Sequence, residues 1–290
     1  MKITFLKPAG LTFTGIGYDR LARLFGAPLS TEAGSELVLA DSNDSVLTTL
    51  LAHEGYGAIA METKAEGRVD PPTNSFIDLL KQFDHSNCPI QVIGALRMKV
   101  NFALMVRHGV LLSQVTKIVT HKKSIGACRG SIAKLGVVTE EVNSNGLAAE
   151  LVARNDGYAL SAALAPKEAA EALELRVLNP AFEDREAVTT FYFLGPKTHP
   201  KPKVIATRAL VVFRLAHSPG TLIHALFPFR TDKINLRMIH SLPIIGEEAY
   251  DFAAELEWTP DNISFAEAFQ TAKRHMERHI LFGPFPVISG

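Results

Sequence analysis

The stretch PKTHPKPK, residues 196–203, decides how the chain is divided. Its three prolines lack a backbone N–H and restrict φ, so the stretch neither continues a helix nor pairs in the middle of a sheet. We therefore predict a linker at residues 196–204. It separates a first module, residues 1–195, from a second, residues 205–290, in agreement with the two domains that 290 residues suggest.

The first module alternates short β-rich runs with amphipathic stretches, which is typical of an α/β fold around a mostly parallel sheet. Strands are predicted at residues 3–6, 36–39, 56–61, 91–96, 117–119 and 190–194. Helices are predicted at residues 18–25, 75–83 and 147–153, the last two after residues that favour an N-cap.

The pattern of the second module predicts a strand at 209–215, a helix at 222–229, strands at 234–240 and 249–258, and a helix at 265–279. There is room for a last strand at 284–288. This is the split βαβ order of a ferredoxin-like α+β domain. Apolar and acidic side chains alternate over residues 250–258. One face of that strand should therefore be buried, and the other, with Asp251, Glu255 and Glu257, should face water.

Composition limits the classes of partner. Thirty Lys and Arg balance thirty Asp and Glu, so a formal net charge of +0 gives no general attraction to nucleic acid or to a membrane surface. No apolar run approaches the ~20 residues that span a bilayer, and the start MKITFLKPAG lacks the pattern of a secretion signal. We expect a cytoplasmic protein. Its two cysteines, Cys88 and Cys128, are too few for a disulfide framework and lack metal-ligand spacing.

Short segments spread over nearly the whole chain follow the order of known motifs. They are FLKPAGLTFTG at 5–15, which contains Thr12, ETK at 62–64 with DLL at 78–80, THKKSIGAC at 120–128, SNG at 144–146, FED at 182–184 and TTF at 189–191. In the same order they resemble YLGPEGTFS, ENSxxGxV with DLL, SHPQALxQC, Ser-Thr-Ala, Ile-Glu-Asp and TRF of the prephenate dehydratase family. Its members convert prephenate to phenylpyruvate, carbon dioxide and water.

The resemblance implies an α/β fold with two parts. A two-lobed, periplasmic-binding-protein-like catalytic domain is expected, with lobe one at about 1–80 plus 166–195 and lobe two at about 81–165. A ferredoxin-like ACT domain, which binds phenylalanine in this family, is expected at 205–290. By resemblance the protein forms a homodimer or homotetramer, and neither a metal nor an organic cofactor is implied.

The ACT domain of the family carries two short effector motifs. PGTL at 219–222 is similar to the GAL-type motif, and HSLP at 240–243 is similar to the ESRP-type motif. An amino-acid effector would then contact Gly220, Thr221, Leu222, His240 and Ser241.

The TRF-like segment carries the implied catalytic residue. By resemblance, Thr189 is the proton donor to the departing hydroxyl, and Thr190 and Phe191 contact the substrate. Thr190 stands where the family has an arginine for the substrate's carboxylates, and a neutral hydrogen bond is weaker than a charged one. A threonine at a strand start that only satisfies β-propensity is the alternative for Thr189.

Other cations must therefore neutralise a small anionic substrate. Lys64, Lys122 and Lys123 follow predicted strands, at the edge where open α/β sheets bind ligands, although a solvated loop face explains these lysines equally simply. Ser144 and Asn145 lead into a helix, whose first N–H groups favour anions.

Two further residues have catalytic and structural interpretations. His121 is a second acid or base, or a packed loop histidine. Glu62 is a base or orients a lysine, or it is a surface carboxylate paired with Lys64 or Arg68.

Three functions follow. The first is a prephenate dehydratase-like lyase that acts on prephenate or a closely related cyclic carboxylate. The second is a relative with changed chemistry in secondary metabolism, such as a prephenate decarboxylase or an enzyme of tropone-type antibiotic synthesis. The third is a non-catalytic ligand-binding protein.

Overall fold

The computed structural model describes residues 1–63, 67–68 and 72–290. Lys64, a predicted substrate-binding residue, lies outside the described residues. The chain divides into two compact units. Unit 1 consists of Met1–Val69, Leu96–Phe193 and Ser289–Gly290, and unit 2 consists of Asp70–Ala95 and Leu194–Ile288.

The described strands and helices are numbered in chain order. The strands are β1 Lys2–Leu6, β2 Glu36–Ala40, β3 Tyr56–Thr63, β4 Gly67–Arg68, β5 Ile90–Val100, β6 Ala103–Val106, β7 Lys117–Thr120, β8 Val138–Glu141, β9 Ser161–Ala165, β10 Arg176–Asn179, β11 Ala187–Pro196, β12 Arg208–Arg214, β13 Asn235–Pro243, β14 Tyr250–Glu257, β15 Arg278–Phe285 and β16 Val287–Ser289. The helices are α1 Phe13–Phe25, α2 Ser45–His53, α3 Pro72–Asp78, α4 Lys122–Ala127, α5 Arg129–Leu135, α6 Asn145–Arg154, α7 Lys167–Ala172, α8 Thr221–Thr231 and α9 Phe265–Ala272.

Two mixed sheets carry the predicted two-lobed α/β part. The first has the order β16-β5-β11-β3-β1-β2, with β4 beside β3, and the second has the order β10-β6-β9-β7-β8. Strand β5 belongs to the first sheet and β10 to the second, whereas the predicted lobes place β5 in lobe two and β10 in lobe one; the other strands of these two ranges, β6 to β9 and β11, lie where the predicted lobes put them. Strand pairing between distant segments decides this membership, and local patterns do not report it.

Helix α1 shows how local sequence sets an element next to these sheets. Thr12 caps its start, accepting the N–H of Gly15 at 3.1 Å, and Gly26 ends it in the left-handed conformation at φ 69°. Its buried face presents Tyr18, whose ring meets Phe5 at 5.0 Å and whose hydroxyl donates to the Pro28 carbonyl at 2.8 Å. The start of α1 is thereby held beside β1.

The second module has the predicted ferredoxin-like order. Its antiparallel sheet runs β13-β14-β12-β15, and helices α8 and α9 pack against each other. The predicted helix at 265–279 is wrong in its second half. Helix α9 ends at Ala272, a 3₁₀ turn covers Lys273–His275, and β15 begins at Arg278 because it pairs with β12.

The prediction of a wet face on β14 is also wrong. Asp251 and Glu255 are each only 3% exposed. Arg214 pairs with Asp251 at 2.8 Å, and Arg208 pairs with Glu255 at 3.1 Å. Helix α3, whose Phe76 is fully buried against Phe282, contacts β12 and β14, so the second face of β14 is covered as well. Buried acidic residues then need charged partners, which the arginines provide.

No helix in the described part of the chain combines the length and the apolar character that a membrane crossing requires.

Candidate functional site

A pocket in unit 1 is lined by residues from both sheets. Its space amounts to about 690 Å³, open solvent at the mouth included. The first sheet and its connections contribute Leu6, Thr12, Phe13, Thr14, Asn43, Ala60, Thr63, Val100, Thr189 and Phe191. The segment after it and the second sheet contribute Phe102, His121, Lys123, Ser124, Ala127, Asn143, Ser144 and Asn145. Apolar walls with a few polar groups are typical of a small-molecule site.

Three helices begin at this pocket. Helices α1, α4 and α6 follow the N-cap residues Thr12, His121 and Ser144, and all three caps line the pocket. The Ser144 hydroxyl accepts the N–H of Leu147 at 3.1 Å and donates to the carbonyl of Lys7 at 2.6 Å. The starts of α1 and α6 carry a partial positive charge and N–H groups that have no partner within the helix, so their convergence favours an anion.

Strand β11 presents alternate residues to the pocket. Thr189 and Phe191 line the pocket and are 7% and 1% exposed. Thr190 lies between them and is not among the lining residues; its hydroxyl is 3.4 Å from Oε1 of Glu62, which does not line the pocket either. The period of two in a strand explains why the two threonines separate.

The two lysines of the 120–128 segment also differ in whether they reach the pocket. Lys123 lines the pocket, whereas Lys122 is exposed and absent from the lining. Of the described residues that line it, Lys123 is the one with a permanent charge, and none is a carboxylate. The described lining therefore contains one positively charged side chain and no negatively charged one.

His121 is a neutral cap at this site. Its Nδ1 accepts the N–H of Lys123 at 3.3 Å. Burial, together with the ammonium of Lys123, lowers the pKa of His121 below its ordinary value, although Glu141 acts in the opposite direction. A neutral ring with Nδ1 as acceptor carries its hydrogen on Nε2, so His121 is a hydrogen-bond donor near neutral pH.

We expect the free energy of unfolding to fall as the pH drops from about 7.5 to about 5.5. The unfolded chain binds a proton on His121 near the ordinary pKa of 6.5, whereas the folded chain resists protonation. His85 and His279, whose pKa values burial also lowers, contribute with the same sign. Urea unfolding over this range should show a smaller loss in His121→Asn, which keeps a cap acceptor. An equal loss in wild type and variant would contradict this role of His121.

Gly146 allows close contact between the start of α6 and the segment before α1. A Cβ at this position would meet the carbonyl oxygen of Leu11 at 2.8 Å and Cδ of Pro8 at 3.0 Å. The family motif resembled by residues 144–146 has alanine here. The glycine thus brings Ser144 and Asn145 close to Thr12.

Unit 2 holds the residues predicted to bind an effector. Thr221 and Leu222 line a small second pocket together with Tyr250 and Phe252. They follow Gly220, which precedes α8 and has φ 85°. Neither His240 nor Ser241 lines that pocket. The Nε2 of His240 lies 2.7 Å from Oδ1 of Asn74, and Ser241 stands opposite Phe252 in the β13–β14 register.

Sequence reasoning missed five polar residues of the unit 1 pocket. They line it but were not predicted as site residues: Thr14, Asn43, Thr63, Ser124 and Asn143. A signal existed for Thr14 and Ser124, because each lies in the first turn of a helix whose cap or first residues were predicted to bind substrate. Asn43 has no such signal. It exchanges hydrogen bonds with the backbone of Ala60 at 2.8 and 2.9 Å.

No group of three metal-ligating side chains comes together within residues 1–63, 67–68 and 72–290.

Comparisons with known proteins connect this chain to enzymes. A sequence model of the family described as prephenate dehydratase matches residues 21–199. Prephenate dehydratase of Corynebacterium glutamicum is 27% identical over 291 residues, which cover 98% of this chain and 87% of that enzyme. The chloroplastic arogenate dehydratase/prephenate dehydratase 2 of Arabidopsis thaliana is 28% identical over 218 residues, 68% of this chain. The chain spans 55% of the length of that plant enzyme.

A solved structure supports the fold. Prephenate dehydratase of Arthrobacter aurescens, determined in complex with L-Phe, superposes with a TM-score of 0.77 at 24% identity. The superposition covers 98% of this chain and 89% of that one. The predicted periplasmic-binding-protein-like part followed by a ferredoxin-like domain is thereby confirmed.

Proposed function

Because the chain belongs to the prephenate dehydratase family, we propose that it is a lyase that removes carbon dioxide and water from prephenate or a closely related cyclic carboxylate. The observation that supports this most is the pocket itself. It combines the Thr189 hydroxyl, the starts of helices α1 and α6, and Lys123, in a described lining without a carboxylate.

The reaction assigns Thr189 one proton transfer. The electron pair of the bond to the ring carboxylate moves into the ring as carbon dioxide leaves, and the C–O bond at the opposite carbon breaks. The departing hydroxide takes the Thr189 proton and leaves as water, after which solvent restores the hydroxyl. A threonine hydroxyl is a weak acid, so the formation of an aromatic ring must supply much of the driving force.

The remaining side chains bind and orient the substrate in this proposal. Lys123 and the helix starts at Thr12 and Ser144 neutralise the carboxylates, and His121 donates from Nε2. Phe191 forms an apolar wall against the ring. Thr190 and Glu62 contact each other and do not line the pocket, so the proposal gives them no direct contact with the substrate.

Several sequence expectations accompany the proposal. They are the domain ranges 1–195 and 205–290 with a linker at 196–204, an amino-acid effector at Gly220, Thr221, Leu222, His240 and Ser241, and a homodimer or homotetramer in the cytoplasm. Lys64 stays a predicted substrate contact, whereas the exposed Lys122 does not line the pocket and is assigned no contact with the substrate. The comparisons favour neither changed chemistry in secondary metabolism nor a non-catalytic binding protein.

Direct assay tests the function. Purified protein is incubated with prephenate, and phenylpyruvate is followed by its absorbance. Formation of phenylpyruvate with turnover is the expected result. A non-aromatic decarboxylated product would contradict dehydration, and calorimetric binding without any product would indicate a binding protein.

Lys123→Met should raise KM for prephenate by roughly 10- to 100-fold, because it removes a charge-assisted contact to a carboxylate. Steady-state kinetics at constant ionic strength measures this change. Lys122→Met is the matched control, since Lys122 is the exposed neighbour. Equal effects of the two variants would show that only general charge matters.

A further inference from the structure

We propose that Ser124 is a further substrate-binding residue, whose hydroxyl donates to a carboxylate oxygen of the substrate and is held in that orientation by Asn145. The inference rests on the proposed function of the pocket. It extends that function to Ser124, at whose position the family motif has alanine.

Ser124 is buried at the pocket. It is the third residue of α4, it lines the pocket, and it is 1% exposed. A buried hydroxyl is costly unless both its hydrogen and its lone pairs are used. The partners of Ser124 therefore indicate what the pocket binds.

The hydrogen bond that Ser124 makes uses its oxygen as acceptor. Nδ2 of Asn145 donates to Oγ of Ser124 at 2.7 Å. A serine hydroxyl has one hydrogen, which points away from a donor of this kind. No acceptor for that hydrogen is found within the part of the chain that the structure describes. An oxygen of a ligand in the pocket would satisfy it.

Asn145 is a positioning residue in this arrangement. Its amide nitrogen also lies 3.0 Å from Oγ1 of Thr120 and 2.8 Å from the carbonyl of Leu164. The amide has two hydrogens for these three acceptors, so one donates to Ser124 and the other is shared between Leu164 and Thr120, which fixes the amide plane. Although the sequence predicts a direct contact with substrate, the structure supports an action of Asn145 through Ser124.

The two residues depart from the family pattern together. In the motifs that residues 120–128 and 144–146 resemble, alanine stands at the position of Ser124 and threonine at the position of Asn145. Alanine offers no hydroxyl to orient, and threonine has no amide to orient one. The chain therefore carries both an added donor and the group that fixes it.

The expected ligand group is a carboxylate. Ser124 follows Lys123 directly, and both lie in the first turn of α4, whose cap is His121. A neutral O–H next to an ammonium group adds a short, directed bond to a charged acceptor. The described lining contains no carboxylate that would compete for this hydrogen.

Steady-state kinetics with prephenate tests the inference. Ser124→Ala should raise KM about tenfold, with kcat changed by less than about threefold, because the contact is made in both ground and transition states. Asn145→Thr should raise KM similarly. The double variant should be no worse than the poorer single variant, because the two residues act as one unit.

Thr120→Val is the matched control. Thr120 shares the Asn145 amide but does not line the pocket, so its loss should lower the melting temperature and leave KM unchanged. An unchanged KM in Ser124→Ala would overturn the inference. A rise of KM in Thr120→Val equal to that in Ser124→Ala would also overturn it, because the network would then have a structural role only.

Calorimetric titration with prephenate separates this inference from the proposed function. If wild type binds prephenate without turnover and Ser124→Ala weakens binding about tenfold, the inference stands and the enzymatic function fails. If wild type turns prephenate over and Ser124→Ala binds it equally well, the function stands and the inference fails. A wild-type protein that neither binds nor converts prephenate overturns both.

Discussion

Thr189→Val should lower kcat for prephenate dehydration by about 10²- to 10⁴-fold, the usual contribution of a positioned general acid. Valine keeps the volume and β-branching of threonine but has no proton for the departing hydroxide. Thr189 is 7% exposed, so bulk water has little access to replace it as the donor. We expect KM to change little, and rapid-quench measurement of phenylpyruvate would separate the chemical step from product release.

Thr190→Val is the control for this experiment. It removes a hydroxyl from the neighbouring position, but that hydroxyl contacts Glu62 and lies outside the pocket lining. Its kcat should stay within about threefold of wild type. Loss of activity in Thr190→Val with little change in Thr189→Val would contradict our assignment of the proton donor.

Arg208→Met should lower the free energy of unfolding by roughly 3–5 kcal/mol, because it leaves a buried carboxylate without its nearest cation. Arg208 and Glu255 have side chains that are 2% and 4% exposed, and Arg208 also pairs with Glu257 at 2.6 Å. The single tryptophan, Trp258, stacks on Phe265 in the same module. Its fluorescence during urea unfolding reports the loss.

Two variants make this measurement specific. Arg154→Met removes the pair that Arg154, the last residue of α6, forms with Glu150 at the helix surface, and should cost less than about 0.5 kcal/mol. Removing both buried charges, in Arg208→Met with Glu255→Met, should recover much of the stability, since no carboxylate then stays unpaired. A loss below about 1 kcal/mol in Arg208→Met alone would contradict the importance of the pair.

The sequence predicts elements well where a local rule applies. The strand predicted at 3–6 is β1, and the helix predicted at 147–153 is α6, which Ser144 caps. Local rules also mislead. The apolar–acidic alternation of β14 predicts a wet face, but α3 covers that face and arginines pair with Asp251 and Glu255.

The candidate site is predictable to a similar degree. Motif resemblance locates Thr12, His121, Ser144 and Thr189, and the structure brings all of them to one pocket. Motif resemblance does not distinguish Lys123 from Lys122, or Thr189 from Thr190, because the orientation of a side chain depends on how its element packs. Ser124 lies within the motif-like segment 120–128, but the resemblance does not mark it, because the family has alanine at that position.

Amino-acid order by itself determined the strand and helix periodicities and the caps that begin α1 and α6, and it predicts a linker at the prolines of 196–203. These features depend on interactions between residues a few positions apart. Tertiary packing alone decided which side chains meet, since the pocket joins segments that are far apart in the chain. The pairing of strands and the burial of their faces set that meeting, so the chemistry of the pocket is a property of the folded protein.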